Sequence, residues 1–321
     1  MFLPAIIGAL TGCAVVLAGA CLVYREVEVR VKRILRPIPR DAAPGSAHLG
    51  VDEQKSLAQI ERGLVRDSPT GIGSGGNCTN PSWSTSDAEG TESIGGDTWW
   101  LDNDAWSGSH GPQSLYVCSP SSWYAISNQP DNGGQVETWP NTEYDVGGRG
   151  TPSTKTIGQY NSIMSTFAEN FPTTGDSFDA AYDLWLNNWS TEIMIWNQVE
   201  GDNTYWSQCA EPGPNQGDCG VIPIAVTLSG VGYPLLPLGP NSSKPNQECT
   251  AATEGTREYI SVRDNQVSSG SVDILAAFKS LIANGLASSS DVPTQLEYGV
   301  EITATTGAQT FPLTGLTFTL N

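Results

Sequence analysis

From residue 77 to residue 321 the chain is written in short apolar or alternating runs. Gly, Pro, Asn, Asp and Ser cut these runs every few residues. Such a texture leaves little room for long helical faces and suits strands joined by tight turns. It predicts strands at 114–118, 122–127, 178–187, 191–199, 221–228, 257–263, 295–303 and 309–320. One segment, Ser271–Gly285, has another period: Ile274, Leu275, Phe278, Leu281 and Ile282 recur at helical spacing. Ser271 is placed to cap its N-terminus and Gly285 its C-terminus. The expected architecture is an all-β sandwich of two antiparallel sheets carrying one amphipathic α-helix, with no internal repeat.

Ahead of this body lies a different kind of chain. Residues 2–24 carry no charge, and 23 residues suffice to span a bilayer as a helix. The expected organisation is a transmembrane anchor over 1–24, a stalk and Gly/Ser linker over 25–76, and the β domain over 77–321. Two signals oppose each other on orientation. Arg25, Arg30, Lys32, Arg33, Arg36 and Arg40 follow the span and would hold the domain in the cytoplasm. The cysteines argue for the outside. Cys78, Cys118, Cys209, Cys219 and Cys249 fit no metal spacing and read as disulfides of an oxidising compartment. Cys78 is expected to pair with Cys118 and Cys209 with Cys219. Cys249 is left over, free or in place of either partner of the second bridge. Giving the cysteines more weight, the domain is expected to be membrane-anchored and extracytoplasmic, or secreted if the N-terminal segment is cleaved.

Charge follows the same boundary. The net charge is −19. Residues 1–67 hold nine bases and seven acids (+2), and residues 68–321 hold six bases and 27 acids (−21). An acidic body of that size argues against nucleic acid, whose binding needs a positive surface. With only His48 and His110 in the chain, a Ser-His-Asp triad and a multi-histidine zinc site are both disfavoured.

The carboxylates carry the chemical signal. In Ala180–Val199 two strand-like runs flank Asn187–Ser190, which reads as a hairpin. Side chains alternate along a strand, so Asp183 shares a face with Trp185, and Glu192 with Met194 and Trp196. A two-residue loop pairs Asp183 with Glu192, and a four-residue loop pairs Trp185 with Glu192. Either register puts all five on one face, whereas a three-residue loop would separate them. In Leu296–Thr303 the even positions are apolar, and Glu297, Gly299, Glu301 and Thr303 face the other way. Gly299 is expected to leave room for a ligand beside Glu301. Two carboxylates among tryptophans suit glycoside hydrolysis, in which one attacks the anomeric carbon and the other protonates the leaving oxygen. All ten Trp lie between residues 83 and 206. Trp106, Trp139 and Trp196 are expected in the groove, whereas Trp99, Trp100, Trp123 and Trp189 are expected to pack or to form its rim.

Ala181-Tyr-Asp-Leu-Trp185, followed by Thr191-Glu-Ile-Met-Ile-Trp196, resembles the strand pair around the nucleophile of glycoside hydrolase family 12, the small jelly-roll endoglucanases and xyloglucanases. The resemblance implies a jelly roll with a concave substrate cleft. It implies Glu192 as nucleophile, Asp183 as the acid beside it, and Glu301, in Gly299-Val300-Glu301, as acid/base. Asn103-Asp104-Ala105-Trp106 is similar to an Asn-Asn-x-Trp element that stacks on sugar. Trp139-Pro140-Asn141 is similar to a Tyr-Pro-Asn turn. With Met194 and Trp196 these supply the expected substrate contacts. Cys78 and Cys118 fit the family's N-terminal disulfide. The implied activity is retaining, endo-acting hydrolysis of internal β-1,4-glucosidic bonds in cellulose, mixed-linkage glucan or xyloglucan, by a monomer needing no metal and no organic cofactor. The competing reading is a membrane-tethered jelly roll that binds carbohydrate without cleaving it.

Overall fold

The structure is a computed structural model that describes residues 77–151, 153–172, 174–201, 225–238 and 257–321. The expected anchor and stalk, Cys209, Cys219, Cys249 and most of 200–256 lie outside the described residues. Among the described residues no helix is long and apolar enough to cross a membrane.

Two sheets account for nearly all the strands. The first has six strands, all antiparallel, in the order β1 (Trp83–Thr85), β4 (Gln113–Ser119), β5 (Ser122–Ser127), β16 (Gln309–Leu320), β7 (Ile163–Glu169) and β14 (Ser269–Asp273). The second has eight, in the order β12 (Leu235–Leu238), β13 (Arg257–Val262), β9 (Thr191–Glu200), β8 (Ser177–Leu186), β15 (Pro293–Ala304), β6 (Asn141–Asp145), β3 (Trp99–Asp102) and β2 (Thr91–Ser93). A short ribbon, β10 (Thr227–Leu228) and β11 (Val231–Gly232), stands apart.

The larger sheet departs from the expected antiparallel pattern at one place. β13 runs parallel to β9, with Glu258 beside Glu192. A parallel pair cannot be joined by a tight hairpin, and 56 residues separate the two strands. The expected strand at 221–228 reduces to β10 in its described part. Strands β1, β2, β3, β6, β7, β11, β12 and β14 were not predicted, being short or rich in Ser, Thr and acids.

The helix α1 spans Ile274–Ala283, and its cap differs from expectation. Asp273 takes the N-cap, its carboxylate accepting from the Ala276 amide at 2.9 Å. Ser271 is instead a residue of β14, paired with Thr166. A carboxylate at this end also suits the helix dipole. Gly285 follows the C-cap Asn284 with φ +71°, the left-handed stop expected of it.

The core lies between the sheets. Tyr182, Leu184 and Leu186 on β8, Ile193 and Ile195 on β9, and Leu296 and Tyr298 on β15 pack against Leu115, Trp123, Phe167 and Leu316 of the smaller sheet. Buried polar groups find partners there, since an unpaired one would cost stability. Trp123 Nε1 donates to Thr142 Oγ1 at 2.8 Å, and Tyr182 Oη to Ser165 Oγ at 2.9 Å. Tyr298 Oη donates to Glu169 Oε2 at 2.6 Å. The Cys78–Cys118 disulfide is formed, with Cα atoms 5.5 Å apart.

Candidate active site

The hairpin register selects one of the two open alternatives. Leu186 pairs with Thr191 and Trp185 with Glu192, so the loop has four residues, 187–190. Asn187, Asn188 and Trp189 all have positive φ (52°, 55° and 72°). Asn side chains tolerate that region, but a Trp there is unusual and strained. The loop is pinned to the start of β15: Asn188 N donates to Thr294 Oγ1, and Val292 N to Asn187 Oδ1, both at 2.9 Å. The Trp189 ring lies 5.1 Å from that of Trp185.

With the register set, side chains on the face turned away from the core form rows across the larger sheet. One row runs Asp145, Gln295, Trp185, Glu192, Glu258 over β6, β15, β8, β9 and β13. The next runs Trp100, Glu143, Glu297, Asp183, Met194, Ile260, starting on β3. A third runs Asp102, Asn141, Gly299, Ala181, Trp196, Val262.

A flat outer face would leave these groups wet. Instead Glu192 is 3% exposed, Asp183 7% and Glu297 0%. The sheet and its loops therefore close around them. Trp139, Met194 and Trp196, with Trp106 at the edge, form an apolar cluster on this face, separate from the inter-sheet core. The buried indole nitrogens of Trp185 and Trp196 have no hydrogen-bond partner among the described residues. A ligand hydroxyl can satisfy such donors.

The predicted site residues fall into three groups. Glu192, Asp183, Met194, Trp196, Trp139 and Trp106 come together as described. Asn103 and Asn141 are both fully buried, with side chains bonded to the backbone: Asn103 Nδ2 donates to Asp87 O at 2.9 Å, and Asn141 Nδ2 to Trp139 O at 2.9 Å. Each fixes a turn rather than presenting its amide nitrogen to the groove. Glu301 stands apart. It pairs with Asp179, whereas the row of Glu192 crosses β15 at Gln295, six residues earlier. Six residues of strand are about 20 Å, beyond the reach of two side chains.

The register puts Glu297, not Glu301, opposite Asp183. Glu297 pairs directly with Asp183 and lies one row from Glu192, with β8 between them. Two strand spacings and one two-residue step put its Cα about 12 Å from that of Glu192. Trp139 Nε1 donates to Glu297 Oε2 at 2.8 Å, so this indole holds a carboxylate as well as packing in the apolar cluster. Sequence reasoning placed Glu297 on the correct face but gave it no role, and it missed Glu143, Asp145, Gln295 and Glu258. The signal for Glu143 was its two-residue step from Asn141.

Gly299 is required for a different reason from the one expected. A Cβ there would meet Pro140 O at 2.4 Å and Asn141 Cβ at 2.6 Å. The glycine admits the Trp139–Asn141 turn against β15; it does not open a space for ligand.

The chain matches no protein-family model and no curated protein. Solved structures do resemble it. The xyloglucanase domain of NopAA, a type three effector from Sinorhizobium fredii in complex with cellobiose, superposes with a TM-score of 0.61. It is 23% identical, over 75% of this chain and 100% of that one. The catalytic domain of Humicola grisea Cel12A, in complex with a soaked thio cellotetraose, gives 0.58 at 20% identity, over 74% and 99%. A family 12 xyloglucanase from Bacillus licheniformis gives 0.57 at 18% identity, over 74% and 100%. The likeness is one of fold. The all-β sandwich of two large sheets and one helix is that of the family 12 glycosidases.

Proposed function

We propose that the domain is a retaining endo-β-1,4-glucanase of the cellulase or xyloglucanase type, with Glu192 as nucleophile. The observation that carries the reading is the burial of Glu192 and Glu297 on one sheet face, on either side of Asp183 and beside the tryptophan cluster. The acid/base role that the sequence resemblance gives to Glu301 passes to Glu297, because register favours it. Glucan relatives of the same fold add support.

The chemistry follows from positions. The Glu192 carboxylate attacks the anomeric carbon as the glycosidic C–O bond breaks, and Glu297 gives its proton to the departing oxygen. Glu297, now a carboxylate, takes a proton from water. That water attacks the same carbon and releases Glu192, so the configuration is retained. Asp183 lies on the strand between the two. Trp106, partly exposed at the edge of the cluster, offers apolar surface to a sugar ring, with Trp139 and Trp196 packed behind it. Cellulose, mixed-linkage glucan and xyloglucan all satisfy these features. Residues 2–24 are proposed as the membrane anchor, with the domain outside; protease accessibility in intact cells tests this.

Reducing-end release from soluble β-glucan tests the activity. Glu192→Gln is expected to abolish it. Glu297→Gln is expected to lower kcat about 10²–10⁴-fold, the usual worth of a positioned acid/base. Glu301→Gln should stay within about twofold of the parent, as expected of a group outside the reacting pair. Absence of release by the parent would leave carbohydrate binding without cleavage as the better reading, unchanged release by Glu192→Gln would overturn Glu192 as nucleophile, and loss only in Glu301→Gln would return the acid/base to that residue.

A further inference from the structure

We propose that Gln113 is a positioning residue that sets where Trp106 meets a sugar ring; the inference rests on the reading of the groove as a glucan site. Gln113 opens β4 and pairs with Ser127, the last residue of β5, in the smaller sheet. Its amide nevertheless reaches two turns that belong to the groove. Nε2 donates to Asn103 O at 2.6 Å and to Asn103 Oδ1 at 3.2 Å. Oε1 accepts from Thr138 Oγ1 and from Ser127 Oγ, both at 2.8 Å. Asn103 begins the Asn103–Trp106 turn, and Thr138 directly precedes Trp139. One buried side chain thus joins the turn that carries Trp106 to the turn that carries Trp139.

The bonds run in one direction. Asn103 O can only accept, so Nε2 faces it and Oε1 faces the two hydroxyls. Gln129 Nε2 donates to Ser127 Oγ at 2.7 Å, which leaves the Ser127 proton for Gln113. Gln129 is itself held, Gly111 N donating to its Oε1 at 2.6 Å and its own N donating to Thr305 Oγ1 at 2.8 Å. At the other end Asn103 Nδ2 donates to Asp87 O. Asn103, Gln113, Ser127, Gln129 and Thr138 are all buried. A side chain that could not bond at position 113 would leave these groups unpaired away from water, and the turns would shift to find new partners. The turn has little else to fix it. Trp139 N donates to Asp104 O at 2.9 Å and Ala105 N to Ala88 O at 2.7 Å. Asp104 between them holds φ +35°, which a non-glycine residue keeps only where its neighbours impose it. Trp106 is partly exposed and rests against the cluster of Trp139, Met194 and Trp196. Its ring takes its position from the turn beneath it, and small displacements of a ligand-positioning group are costly.

The test is affinity electrophoresis through soluble β-glucan, with every chain in the Glu192→Gln background so that binding is read apart from cleavage. Gln113→Met keeps the length of the side chain and removes both bonding groups. It should weaken retention by the glucan about tenfold, the scale of lost buried hydrogen bonds. Trp106→Ala should also weaken it. Added to Trp106→Ala, Gln113→Met should change retention by less than about twofold, because a residue that acts through another has nothing left to act on. Thr138→Val removes a single hydroxyl and decides the matter if Gln113→Met does not fold. It should weaken retention about threefold where Trp106 is present and leave it unchanged where Trp106 is absent. Unchanged retention in the folded Gln113→Met chain overturns the proposal. So does an equal loss with and without Trp106, which would describe a network that supports the fold alone. If Trp106→Ala is retained as strongly as its parent, the reading of the groove as the glucan site fails first, and the proposal falls with it.

Discussion

Trp139 shows how one side chain serves two purposes. Its ring is part of the groove cluster, and its Nε1–H is spent on Glu297 Oε2. Trp139→Phe keeps most of the apolar area and deletes the donor. A hydrogen bond to a charged or charge-bearing group is worth about 1.5–3 kcal/mol, so kcat should fall roughly tenfold or more. KM should change little if the bond serves the acid/base rather than the sugar. Steady-state kinetics, with melting temperature as the control, separate the two. Glu301 carries the opposite lesson. Its motif, Gly-Val-Glu a few residues before a turn, locates it relative to Thr306–Gly307. Its position relative to β9 is set by cross-strand register. The register is shifted at irregularities between Pro293 and Gln295 and between Ala180 and Ala181, neither of which has a sequence signature.

Among the elements, β7 and β15 share a buried acid. Glu169 is 6% exposed, and burial raises its pKa to about 8, only partly countered by the hydrogen bond from Tyr298. In the unfolded chain the group titrates near its ordinary value of 4.5. Between those values the unfolded state loses the proton while the folded state keeps it. The stability associated with the protonated acid is therefore fully present below about pH 4.5 and is lost as pH rises toward 8. Glu169→Gln, which cannot ionise, should flatten this dependence. Urea unfolding at pH 5 and pH 8 should show the parent losing more stability than the variant across the interval, by an amount on the order of a few kcal/mol. Element identity was legible where period and length were strong, as in β8, β9, β15, β16 and α1. The short edge strands β1 and β2 were not, because three residues carry too little alternation to be read. The helix cap moved from Ser271 to Asp273 because pairing of β14 with β7 holds Ser271 in a sheet.

For the whole molecule, the first described residues are tied to the sandwich by the Cys78–Cys118 bridge, 40 residues apart in sequence. Closing a loop of that length is worth about 4 kcal/mol in the chain-entropy model. A Cys78→Ser, Cys118→Ser double variant should melt earlier than the parent, and reductant should lower the parent's melting temperature toward the variant's without affecting the variant further. Differential scanning calorimetry checks both. The sequence by itself determined the class of fold, which residues share a face within each strand and the chemistry to expect. These follow from local alternation, turn residues and composition, which are properties of neighbours along the chain. Only the tertiary structure decided that Glu297 pairs with Asp183 and Glu301 with Asp179, that Asn103 and Asn141 are bonded into their turns, and that Gly299 admits a neighbouring backbone. Each of these depends on register between strands far apart in sequence, where a shift of one or two residues moves every side chain along the sheet or to its other face.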